Sequence, residues 1–287
     1  MGDAPDGRGR DAAEPPVISR RGFLGAAAAA CGSLFGAGRL RIGIGTYSYH
    51  SLSIDAMIAQ LQRLDIREIE MSRGEFMLFS KPNPERFAVA RAKFDAAGIR
   101  CVSYYTATIH DDAELETAIQ GAKLLGSSNI TGDATGDILR RIDEGCTREG
   151  LTFGIHNHFF KGKKFPYESP EDVLAALKGR SKTMGATLDT GQFASCGYDT
   201  IDAVRKLAPH LKMVHLKDIE AEGAEVNVLL GKGIAKIAGV IAELIRIGYS
   251  GLVAIEYEKE GPVEEDLRLE VEYARKLIQS AADSGRA

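Results

Sequence analysis

From residue 39 onward, short apolar runs alternate with longer segments in which apolar positions recur every three or four residues. The first kind of pattern reads as buried strands and the second as helices packed along one face. The runs at 41–47, 68–71, 101–105, 129–131, 151–155, 185–189, 212–216 and 252–257 are the predicted strands. The segments at 53–64, 84–97, 112–125, 138–148, 169–178, 201–207, 233–247 and 266–281 are the predicted helices. Ser53 caps a helix in which Ile54, Met57, Ile58 and Leu61 share one face. Gly98, Gly126 and Gly150 stand where three helices should stop, and Pro170 takes a permissive first-turn position.

Eight β/α units follow one another without a Pro/Gly-rich linker between them. Strict alternation calls for a parallel sheet with helical crossovers, and eight units predict a closed (β/α)8 TIM barrel over residues 39–287. A doubly wound sheet is the alternative, but strand one is not followed by a GxGxxG loop.

Barrels of this kind work at the C-terminal ends of their strands. Strand two ends in Glu70, strand five in His156 and His158, and strand six in Asp189. Strand seven carries His215, and strand eight ends in Glu256. His156 and His158, two residues apart, share one face of a strand. Each residue alone has an ordinary structural explanation, such as a turn, a cap or a surface ion pair. Gathered round one barrel mouth, buried charges of this kind need a counter-charge. Mixed nitrogen and oxygen donors suit a divalent ion, with manganese as the first expectation and magnesium, cobalt, iron or zinc as alternatives. The absence of clustered cysteines argues against a structural zinc site.

Composition changes this picture at one end only. The chain has 287 residues, a net charge of −4 and 44% hydrophobic residues, with basic and acidic residues interspersed. That balance gives no footprint for nucleic acid. The string His156-Asn157-His158 matches a nuclease motif in letters, but the ββα-metal hairpin which that motif needs is missing. Residues 1–38 differ: a polar leader precedes Arg20-Arg21-Gly22-Phe23-Leu24 and a run of small residues. This is the pattern of a twin-arginine signal, and the run is too short and too rich in Gly and Ala to span a membrane. The expectation is an exported, periplasmic protein that meets the twin-arginine machinery. It would touch the membrane only through the signal or through a lipid anchor at Cys31.

GIHNHF (154–159), TLDTGQF (187–193), VHLKD (214–218), LLGKG (229–233) and GYSGLVAIEYE (248–258) fall in this order along the chain. They resemble the sugar phosphate isomerase/epimerase family of xylose isomerase-like TIM barrels, over about residues 40–280. The resemblance implies a metal-dependent barrel acting on free or derivatised sugars. The ligands it implies fall on His156, Asp189, His215 and Glu256, with His158 able to replace His156. Two departures stand out: His156 occupies a position where many members have Glu, and Gln192 follows Asp-Thr-Gly where His is common.

The expected reaction is proton abstraction next to a carbonyl, with Glu256 as base and a metal-held enediolate. Either His158 or Glu70 would supply a second base, or the chemistry needs one base only. Lys217, Tyr47 and Asn157 are the candidate substrate-binding residues. Isomerisation or epimerisation of a sugar is the first expectation. The alternatives are a metal-dependent lyase acting on keto-glycosides and an exported sugar-binding barrel without catalysis. Export favours free or oxidised sugars and glycosides over sugar phosphates.

Overall fold

A computed structural model of the chain describes residues 40–284, together with Met1. The leader and signal expected over residues 1–38 lie outside the described residues. The strands are β1 (Arg41–Gly45), β2 (Glu68–Met71), β3 (Arg100–Thr108), β4 (Asn129–Asp133), β5 (Thr152–His156), β6 (Met184–Asp189) and β7 (Leu211–Leu216). A short antiparallel pair, β8 (Asp218–Ile219) and β9 (Asn227–Val228), comes before the last strand, β10 (Leu252–Ile255). The helices are α1 (Ile54–Arg63), α2 (Pro84–Ala97), α3 (Asp112–Leu125), α4 (Ile138–Glu149), α5 (Pro170–Leu177), α6 (Thr190–Ser195), α7 (Thr200–Leu207), α8 (Ile237–Arg246) and α9 (Glu264–Ser284).

Eight parallel strands close in the order β1-β10-β7-β6-β5-β4-β3-β2, the predicted (β/α)8 barrel. Because both faces of the sheet are covered, β6 is buried along its whole length. Among the described residues, no helix is long and apolar enough to cross a membrane.

Three local departures from the sequence pattern have tertiary causes. The run predicted as strand one leaves the ladder after Gly45 and winds into a 3-10 turn over Thr46–Tyr49. The helix expected from residue 233 begins only at Ile237, because the preceding loop is gathered round Asp218. One oxygen of that carboxylate accepts from the amides of Gly231 (2.9 Å) and Gly233 (3.0 Å), and the other from Ala235 (2.9 Å). The last barrel strand stops at Ile255. The next two amides turn to Leu216 O (3.2 Å) and Ser48 Oγ (2.9 Å).

Inside the barrel a chain of hydroxyls crosses below the strand ends. Ser103 Oγ lies 3.0 Å from Thr131 Oγ1, which lies 3.0 Å from Thr187 Oγ1. Gly154 leaves room for this chain, since a Cβ there would strike Thr187. Gly154→Ala is therefore expected to lower stability by about 1–3 kcal/mol, through overpacking next to the site. A urea melt within about 0.5 kcal/mol of wild type would show that the lumen can relax.

Candidate active site and metal centre

His156 and Asp189 are the last residues of β5 and β6, and His215 lies opposite Asp189 in register on β7. Parallel strands carry all three to the same end of the barrel. His156 Nε2 is 3.2 Å from His215 Nδ1, and Asp189 Oδ2 is 3.7 Å from each of those nitrogens. One ligand atom from each residue lies within 4.8 Å of the other two, and all three residues are buried. The triad could hold a metal ion.

Each member is aimed by a partner outside the triad. Asp189 Oδ1 accepts from the amide of Gln192 (2.9 Å) and caps α6. That turns Oδ2 inward, where it accepts no hydrogen bond among the described residues. His215 Nε2 lies 2.6 Å from Glu70 Oε2, and the other oxygen of Glu70 accepts from Ser103 Oγ at 2.8 Å. An ionised carboxylate can only accept, so Nε2 carries the proton and Nδ1 faces the triad. This is the arrangement by which a carboxylate orients a metal-binding imidazole. The backbone beside His156 is tied to β6 by Asn157. Its amide donates to Asp189 O (3.0 Å) and accepts from Asp189 N (2.8 Å).

A buried ammonium stands beside the triad. Lys217, 1% exposed, places Nζ 2.8 Å from Glu256 Oε2, 2.8 Å from Glu258 Oε1 and 3.3 Å from Asp189 Oδ2. Glu256 Oε2 is also 3.5 Å from His215 Nδ1. Burial alone would lower the lysine pKa, but Asp189, Glu256 and Glu258 hold it well above its ordinary value. Burial alone would raise the Asp189 pKa, yet Lys217 and the two imidazoles bring it well below the usual carboxylate range. The three buried carboxylates of Glu70, Asp189 and Glu256 outnumber the one ammonium by two, with Glu258 exposed beside them. An excess of that size in a buried site is stabilised by an added cation or by a protonated imidazole. The inward-facing Asp189 Oδ2, which accepts no hydrogen bond among the described residues, and the facing ring nitrogens make a donor set that fits a divalent ion.

The structure thus brings together His156, Asp189, His215, Glu256 and Lys217. Of these, His156, Glu256 and Lys217 lie with Tyr47 on the wall of a cavity of about 430 Å³, while Asp189 and His215 are fully buried off that wall. His158 also lines that cavity, outside the triad. Its Nδ1 lies 2.8 Å from Phe159 O, and its ring stacks on Phe160 at 4.1 Å. Burial, together with His156 and Lys217, lowers the His158 pKa to about 4, so the ring is neutral near pH 7. Two other candidates also lie off the wall. Glu70 is fully buried and bonded to His215 and Ser103. Asn157 is not on the wall either, because both ends of its amide bridge β5 to β6.

Glu258 and Tyr105 line the cavity and were missed from the sequence, and Gln192, noted there only as a departure from the family pattern, lines it too. Glu258 carried a signal, its two-residue spacing from Glu256. Tyr105 packs edge-on to His156 with ring centres 5.3 Å apart, and Gln192 Oε1 accepts from the amide of Phe159 at 2.9 Å. Those contacts cross between strands and have no counterpart in local sequence.

A family model described as xylose isomerase-like TIM barrel matches residues 133–277, the stretch that holds the triad, Lys217 and Glu256. No curated protein matches the chain. Among solved structures, an uncharacterised protein from Parabacteroides distasonis is 25% identical, with a TM-score of 0.63 over 83% of this chain and 99% of its own. A xylose isomerase domain protein from Planctomyces limnophilus is 18% identical, with a TM-score of 0.68 over 85% of this chain and 99% of its own. An L-ribulose 3-epimerase is 15% identical, with a TM-score of 0.68 over 86% of this chain and 97% of its own. The last two likenesses speak for the fold alone.

Proposed function

The chain belongs to the xylose isomerase-like TIM barrel family, and on that premise we propose that it is a divalent-metal-dependent sugar isomerase or epimerase. The observation that carries this reading is the buried His156/Asp189/His215 triad, with His156 and the neighbouring Glu256 lining the cavity. Solved structures titled as sugar epimerases share the barrel. Held by the triad, with Glu256 as a further candidate ligand, a divalent ion would act as a Lewis acid on a substrate carbonyl and its neighbouring hydroxyl.

The chain's own residues supply the proton chemistry. Glu256 takes the proton from the carbon next to the carbonyl. Lys217, whose ammonium touches Glu256, donates to a substrate oxygen as negative charge develops there. Proton return to the neighbouring carbon isomerises the sugar. Return to the opposite face requires a second group, and the cavity offers His158, neutral near pH 7, and Glu258. Glu70 keeps His215 turned toward the triad. Glu70→Gln is expected to lower metal affinity by about 10–100-fold, read by competition with a chelating dye. A change below about twofold would remove Glu70 from that role.

A second reading shares the first step. If the substrate is a keto-glycoside, loss of a β-substituent after deprotonation is elimination, and a cavity of about 430 Å³ is large enough to hold a sugar with its β-substituent. Metal analysis of the purified protein, with proton NMR in D₂O across sugars and keto-glycosides, separates these readings. Solvent deuterium in rearranged sugar supports the isomerase, and aglycone release supports the lyase. Sugar binding that a chelator leaves unchanged, without deuterium uptake, would leave only a binding protein.

We place the protein in the periplasm on the strength of residues 19–30 alone. Changing Arg20 and Arg21 together to Lys is expected to keep most of it in the cytoplasmic fraction. Unchanged export of that variant would overturn the twin-arginine route.

A further inference from the structure

The cavity has two characters. Its buried floor carries His156, Lys217 and Glu256, while its exposed lining residues are Phe79, Phe160, Glu225 and Glu258. Phe79 is 71% exposed and Phe160 41% exposed, so two large aromatic side chains stand in water at the mouth of a polar pocket. Phe160 is held flat against His158, with ring planes 11° apart, and Phe165 braces the pair from 5.5 Å. A flat, pre-set aromatic face next to a polar floor is suited to a ligand whose one end hydrogen-bonds and whose other end is a ring.

Charge narrows the ligand further. The charged side chains on the wall are Glu225, Glu256, Glu258 and Lys217, and among the described residues no arginine joins them. Lys217 is already engaged by two carboxylates at 2.8 Å. A phosphate on the substrate would meet more negative than positive charge there, with no free cation on the wall. Lys161, Lys163 and Lys164 lie on the loop that carries Phe160, but they are exposed and outside the lining.

We propose that this cavity takes a neutral glycoside with an aromatic aglycone, its sugar ring on the polar floor and its aglycone against Phe79 and Phe160. The proposal rests on the reading of that floor as a sugar site, and it adds the part of the ligand that the metal triad does not touch.

The test uses the metal-loaded full chain and calorimetric titration with methyl and phenyl glycosides of glucose, galactose and xylose, alongside glucose 6-phosphate. For whichever sugar binds, the phenyl glycoside should bind roughly tenfold more tightly than the methyl glycoside. Phe160→Ala and, separately, Phe79→Ser should cut that ratio below about twofold, with metal content unchanged as the check on folding. Equal affinities for phenyl and methyl glycosides would overturn the aromatic subsite while leaving the sugar site standing. Tighter binding of glucose 6-phosphate than of every neutral glycoside would overturn the exclusion of anions and point to the three loop lysines. Binding by none of them would overturn both the subsite and the sugar reading on which it rests.

Discussion

Asp189→Asn is expected to strip the protein of its divalent ion while leaving the barrel folded. The two oxygens of Asp189 do different work, and the substitution separates them. Oδ1 caps α6 through the Gln192 amide, and Asn is as good a capping residue as Asp. Oδ2 faces His156, His215 and Lys217 and has no hydrogen bond of its own among the described residues. An amide nitrogen in that place cannot be a ligand, and it sets a donor against an ammonium. Metal content should fall below about a tenth of wild type, and turnover by on the order of 10³-fold or more, since Lewis-acid stabilisation is worth several kcal/mol. Asp189→Ala should lose the metal as well, and about 0.5–2 kcal/mol of stability with the cap. Undiminished metal affinity in Asp189→Asn would show that the triad is not the metal centre.

Glu256→Gln should cost about 10²–10⁴-fold in turnover, the usual worth of a positioned general base. The side chain is nearly isosteric and can still accept from Lys217, so the effect isolates the missing charge. Deuterium exchange from solvent into substrate should fall with turnover, because both need the same proton transfer. Metal content measured on this variant reads out the residue's other proposed role. Affinity within about threefold of wild type makes Glu256 a base alone, and a drop of about 10–100-fold makes it a ligand too. Turnover within tenfold of wild type would take Glu256 out of the chemistry.

Much of this site was legible before any coordinates. His156 and Asp189 each close an apolar run, His215 stands one residue before the end of another, and parallel strands in a barrel deliver such ends to one rim. What could not be read was direction. The rule that strand ends meet at the mouth made Glu70 look like a base, yet its carboxylate lies behind His215, in the hydroxyl-lined lumen. Asn157 stands between two cavity residues in sequence, yet alternation along the strand turns its amide to the backbone of β6. Glu258 carried a signal in its two-residue spacing from Glu256, but it lies beyond the end of β10 at Ile255.

Periodicity alone was enough for the barrel, its eight strands and most helix ends, because burial of one face and the backbone freedom of glycine act over a few neighbouring residues. Gly98, Gly126 and Gly150 close their helices with positive φ for that reason. The folded chain had to decide the rest: which oxygen of Asp189 faces inward, which nitrogen of His215 is free, and which three carboxylates surround Lys217. Those are bonds between residues as far as 145 positions apart. Their geometry depends on register around a closed sheet, and no local pattern encodes it.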